Sequence, residues 1–136
     1  MTSKEFKRLI KERKVKQFFS YIKNGQIIRV YTTTSLSDEH KSYQCNWYLD
    51  KDKKLIRNVR EINKDILREL CENYVDDCNK LRNVHKDETI ELINKYRVMH
   101  TGIPEQEITM DERKYYKQAA TTLTFQLGDE RVLMLR

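Results

Sequence analysis

Residues 15–34 read VKQFFSYIKNGQIIRVYTTT. Two runs rich in β-branched and aromatic residues flank Asn24-Gly25, the strongest short-range signal for a β-hairpin. Gly25 supplies the positive φ that such a turn needs. This stretch therefore predicts strands over about 15–23 and 26–34, and it sets the chain on a sheet-based fold.

Downstream, residues 35–42 (SLSDEHKS) read as a loop, and YQCNWYL (43–49) then alternates strictly. Tyr43, Cys45, Trp47 and Leu49 point one way, and Gln44, Asn46 and Tyr48 the other. The turn Asp50-Lys51-Asp52-Lys53 leads into KLIRNV (54–59), with Leu55, Arg57 and Val59 on one side. Two consecutive hairpins predict a four-stranded antiparallel sheet whose apolar face needs a cover.

The following pattern is helical. Asn63 is a candidate N-cap for a helix reaching about residue 84. Its apolar stripe is Ile66, Leu67, Leu70, Cys71, Tyr74, Cys78, Leu81 and His85. A second helix is expected from about Asp87, ending before Gly102 and Pro104. Thr109-Met-Asp-Glu112 matches a capping box and opens a third helix carrying Tyr115, Tyr116, Ala119 and Ala120. In TTLTFQL (121–127), Leu123, Phe125 and Leu127 alternate with Thr and Gln, so a C-terminal β-hairpin with RVLMLR (131–136) is preferred over a continuing helix. The reading is one α+β domain over residues 1–136: a short basic N-terminal helix, the sheet, and two or three helices packed on one face of it.

At 136 residues the chain suits one domain. It has 38% hydrophobic and 35% charged residues, polar but able to form a core. Its three cysteines, Cys45, Cys71 and Cys78, form no CxxC pair, which fits free thiols and a cytoplasmic setting. No apolar run approaches membrane-spanning length, and no signal peptide is read.

Net charge is +6, unevenly spread: +9 over residues 1–60, −6 over 61–112 and +3 over 113–136. Such a dipolar particle presents one face to an anionic partner. Two basic clusters are candidates for that face. KEFKRLIKERKVK (4–16) supplies Lys4, Lys7, Arg8, Lys11, Arg13 and Lys14, and DKDKKLIRNVR (50–60) supplies Lys53, Lys54, Arg57 and Arg60. Lys and Arg hold phosphate backbones by displacing counterions, with no base reading required. Exposed aromatics near them would stack unpaired bases, with Tyr21, Tyr31 and Tyr48 as candidates.

Catalytic signatures are missing. The only glycines are Gly25, Gly102 and Gly128, which excludes a P-loop, a GxGxxG turn and a GxSxG elbow. Cys71, Cys78 and His85 recur at steps of seven, a spacing that fits core packing better than zinc ligation. Glu69, Glu72, Asp76 and Asp77 read as a solvated acidic face, and Asp38-Glu39-His40 is an equally weak lead. No metal or other cofactor is expected.

The first expectation is a non-enzymatic binding protein for an anionic partner, foremost nucleic acid held through phosphates. The alternative is a small viral or mobile-element inhibitor, acting as a homodimer or other homo-oligomer. It would sequester a nucleotide-like ligand or block a host defence nuclease, with Trp47, Tyr48, Arg57, Arg113 and Arg131 lining a small-anion pocket. A metal-dependent nuclease ranks last.

Overall fold

A computed structural model describes residues 2–34, 40–83 and 109–128. Its elements are α1 (Ser3–Lys11), β1 (Val15–Lys23), β2 (Gln26–Thr33), β3 (Ser42–Leu49), β4 (Leu55–Ile62), α2 (Lys64–Asn83) and α3 (Met110–Gly128). The four strands form one antiparallel sheet in the order β1-β2-β3-β4. The α+β reading and both hairpins hold. Asn24 (φ 51°) and Gly25 (φ 76°) both occupy the left-handed region at the first turn.

The helix caps follow local chemistry. Thr2 caps α1, in a reciprocal box with Glu5. The Asn63 side chain accepts from the Ile66 amide at 2.9 Å to start α2. Thr109 and Glu112 exchange bonds to start α3. At the far end of α1, Arg13 N–H donates to the Ile10 carbonyl and Lys14 N–H to the Leu9 carbonyl. That is a Schellman closure with Arg13 (φ 58°) in the slot glycine usually fills.

The helices cover both faces of the sheet, which corrects the one-face expectation. On one face, Phe19, Tyr21, Ile28, Val30 and Ile62 pack against Leu70, Tyr74 and Cys78 of α2. On the other, Phe6 of α1 packs with Val15, Tyr31, Tyr43 and Cys45. Tyr115 and Ala119 of α3 sit on that same face against Ile27. Two features make both faces apolar. Residues 27–32 of β2 are buried without alternation. A bulge between Gln17 and Phe19 also resets the phase of β1, turning Phe19 and Tyr21 toward α2.

The expected strand over 122–127 is helix instead, the last two turns of α3. Tyr115, Ala119, Thr122, Leu123 and Gln126 are buried at steps of three and four, so packing on one stripe overrides β propensity. The Thr121, Thr122 and Thr124 hydroxyls donate back to the Lys117, Gln118 and Ala120 carbonyls, which makes the Thr-rich turns tolerable. The expected helix from Asp87, with Gly102 and Pro104, and the RVLMLR segment lie outside the described residues. Among the described residues, no helix is long and apolar enough to cross a membrane.

Candidate anion-binding site

α1 and α3 lie on one sheet face at opposite ends. α1 sits over Val15, Tyr31 and Tyr43. α3 is pinned at the other end, where Asp111 accepts from the Leu55 amide at 2.9 Å and the Tyr115 hydroxyl donates to the Gly25 carbonyl at 2.6 Å. Between them the strand register sets Trp47 of β3 directly beside Arg57 of β4, with Arg29 of β2 diagonal to it, opposite Cys45.

Two guanidiniums lie against the Trp47 ring. The Arg29 Cζ is 4.5 Å and the Arg57 Cζ 4.4 Å from the ring centroid. The cations reach the ring from the two strands that flank β3, and each gains a cation–π contact. The indole N–H is also engaged, donating to Cys45 Sγ at 3.2 Å.

A cavity of about 320 Å³ opens above this row. Ser3, Phe6, Lys7 and Ile10 of α1 form its roof, and Arg29, Tyr31, Cys45, Trp47, Arg57 and Val59 its floor. Three cations thus meet an apolar wall, with no carboxylate and no histidine among the described lining residues.

Arg29 is the least expected resident. Only 9% of it is exposed. One Nη donates to the Gln118 carboxamide of α3. Its Nε, like that of Arg57, is buried with no partner among the described residues. Neither Arg29 nor Arg57 has an ion pair among those residues, where the two salt bridges are Lys14–Glu12 and Lys80–Asp76. A buried guanidinium held only by neutral partners, the Gln118 amide and the Tyr31 hydroxyl, is costly unless an anion completes it.

The site acts on its neighbours. Burial pushes the Tyr31 hydroxyl up, and the Arg29 guanidinium beside it pulls the other way. Burial likewise raises the Cys45 thiol, partly offset by the Trp47 hydrogen bond and by Arg29 and Arg57. The thiol therefore stays protonated near neutrality, a poor nucleophile.

The nominated residues divide accordingly. Lys7 and Arg57, from separate basic clusters, meet in the cavity, and Trp47 lies against two of its cations. Lys4, Arg8, Lys11, Arg13 and Lys14 are exposed on and just beyond α1, while Lys53 and Lys54 are exposed on the turn at the other end of the sheet. Arg60 faces the opposite side, donating twice to Gln44 Oε1 at 3.0 and 2.8 Å. Tyr48 is on that side too, near Asn58 at 3.4 Å. Arg113 is exposed on α3, and Arg131 and His85 lie outside the described residues.

The stacking candidates Tyr21 and Tyr31 are buried in the core at 1% and 7% exposure, and cannot receive bases. On the acidic helix, Asp76 pairs with Lys80 at 3.0 Å and Asp77 accepts from Gln126 at 2.8 Å. Among the described residues no group of His, Cys, Asp or Glu is arranged to hold a metal.

Sequence reasoning passed over Arg29 and Gln118. Arg29 carried a signal: it is the one charge inside IIRVYTT. No protein-family model matches this chain, and neither a curated protein nor a solved structure is significantly similar to it.

Proposed function

We propose that this chain binds a compact phosphate-bearing ligand, without chemistry, in the cavity between α1 and the sheet. The observation that supports the reading most is Arg29, nine-tenths buried, whose Nε, like that of Arg57 on the same cavity floor, has no partner among the described residues. Two guanidiniums against a rigid indole, with Lys7 above them, offer a fixed set of donors to a phosphate or polyphosphate. The volume is at the small end of ligand sites, which run from about 300 Å³ upward. With two guanidiniums against its ring, Trp47 serves to position the cations, not to stack a base.

The test is calorimetric titration with inorganic pyrophosphate at several salt concentrations, on the wild type, Arg29→Met, Arg57→Met and Lys4→Glu/Arg8→Glu. One-to-one binding with a shallow salt dependence, lost in the two Met variants and kept in the Glu variant, supports the pocket. Phosphate gripping along the exposed cations of α1 would instead show a steep salt slope that the Glu variant flattens. No binding of pyrophosphate at low salt refutes the pocket.

A further inference from the structure

Arg29 borders a second cavity as well. About 460 Å³ in volume, it runs from Arg29 across β1 beneath α3, lined by Gln17, Phe18, Ser20, Gln118, Thr121 and Phe125 among others. The two spaces are consecutive. Arg57 pairs with Trp47 across β4 and β3, and Arg29 with Ser20 across β2 and β1, the two pairs offset by two residues because Trp47 faces Ile27 and Arg29 faces Cys45, so the row crosses the sheet obliquely. Three inter-strand spacings and the two-residue offset give it a length of about 16 Å. α1 walls the first half and α3 the second.

The outer end of the row is built differently from the inner end. Phe18 is 46% and Phe125 67% exposed, the only aromatic rings among the large exposed hydrophobics of the described residues. Phe18 owes its position to the β1 bulge, which takes it out of the alternation that buries Phe19. Phe125 sits one residue before the fully buried Gln126, so the packing of α3 holds it at the cavity edge. Between these rings and Arg29 lie the carboxamides of Gln17 and Gln118 and the hydroxyls of Ser20 and Thr121. Cations at one end, amides and hydroxyls in the middle and exposed aromatic faces at the other match a phosphate, a sugar and a base in that order.

We propose that the two cavities form one trough, and that its ligand is a nucleotide unit with phosphate at Arg29 and Arg57 and its base against Phe125 and Phe18. This rests on the phosphate-binding reading and adds the rest of the ligand to it. The unit can come from a free short nucleotide or from a single-stranded nucleic acid lying across the sheet, because both present the same base and phosphate.

Three probes separate these claims: inorganic pyrophosphate, a 5′-phosphorylated thymidine dinucleotide and a ten-residue oligothymidylate. Each is titrated against the wild type, Phe125→Ala and Phe18→Ala/Phe125→Ala, whose exposed positions leave the core intact. Both thymidine probes should bind at least about tenfold more tightly than pyrophosphate, and Phe125→Ala should remove most of that gain while leaving pyrophosphate unchanged. Equal affinity for dinucleotide and decamer supports the trough with a free nucleotide, and a much tighter decamer supports it with a strand. If pyrophosphate binds but the thymidine probes bind no better, or Phe125→Ala loses nothing, the trough is wrong and the phosphate site stands. If the thymidine probes bind through Phe125 and pyrophosphate does not bind at all, the phosphate site is overturned instead.

Discussion

Replacing Arg57 by Met should make the ligand-free protein more stable while abolishing its response to anions. The two guanidinium carbons each lie within 4.5 Å of the Trp47 centroid. Their separation is therefore no more than about 9 Å, and at an effective dielectric of about 20 their repulsion is about 2 kcal/mol. Removing Arg57 also removes its buried, unpartnered Nε. Against this stands the lost cation–π contact, about 1 kcal/mol at a half-buried site, between the exposed and the desolvated values. Met keeps most of the aliphatic stem against Trp47, so packing is largely retained. The net expectation is a gain of about 1 kcal/mol, or roughly 3 °C in melting temperature for a domain of this size. Urea unfolding at low salt, followed by the fluorescence of Trp47, the single tryptophan, measures it directly. With pyrophosphate at a hundred times its Kd, the wild type should gain about 2.7 kcal/mol, and Arg57→Met far less. The reasoning fails if Arg57→Met loses more than about 1 kcal/mol without anion, or gains as much from pyrophosphate as the wild type.

Phe6 is the buried anchor of α1, with its ring 4.9 Å from Tyr31 and 5.5 Å from Tyr43. Phe6→Ala should cost about 3 kcal/mol and release α1, since nine residues do not hold a helix alone. Circular dichroism should show that loss of helix, and pyrophosphate affinity should drop with the cavity roof. Arg13→Gly should stabilise the protein by about 0.5–1 kcal/mol by relieving a left-handed backbone at an exposed position, read as a higher urea midpoint. Asp77 carries a sign that can be checked. Burial raises its carboxyl above the ordinary 3.8, with the Gln126 hydrogen bond opposing. Its stabilising contribution is thus complete below about pH 4 and is lost as pH rises through the raised folded value. Asp77→Asn, which can still accept from Gln126, should be more stable than the wild type at pH 7 and lose that margin toward pH 4. A variant less stable than the wild type at pH 7 would refute this.

The sheet was legible because each of its signals was local. Asn24-Gly25 dictated the first turn, and the alternation from Tyr43 to Leu49 assigned every side chain of β3 to its face. The caps at Asn63 and Thr109 were equally readable, each needing only a short polar side chain before a helical stripe. The second covered face was harder to see, because the β1 bulge breaks the period of two and β2 is buried on both sides. The end of α3 was misread for a related reason. Its strand-like alternation competes with the steps Tyr115, Ala119 and Leu123, and only packing on β1, β2 and α2 decides between them. At the site, charge density pointed to Lys7 and Arg57 individually but also to many exposed lysines beside them. What gathers the site is strand pairing, which sets Arg57 beside Trp47 and Arg29 diagonal to it on the same face although they are far apart in the chain. Gln118 carried no local signal at all, since its part depends on where α3 crosses the sheet.

The most direct test of the central claim is NMR observation of the arginine Nε–Hε groups during titration with pyrophosphate at low salt. The account predicts that the Arg29 and Arg57 resonances shift and saturate together, with the Trp47 indole N–H responding alongside, while the Nε–Hε signals of Arg8 and Arg60 move little. Shifts confined to Arg8 and the exposed α1 cations, or no saturating shift at Arg29 and Arg57, would contradict it.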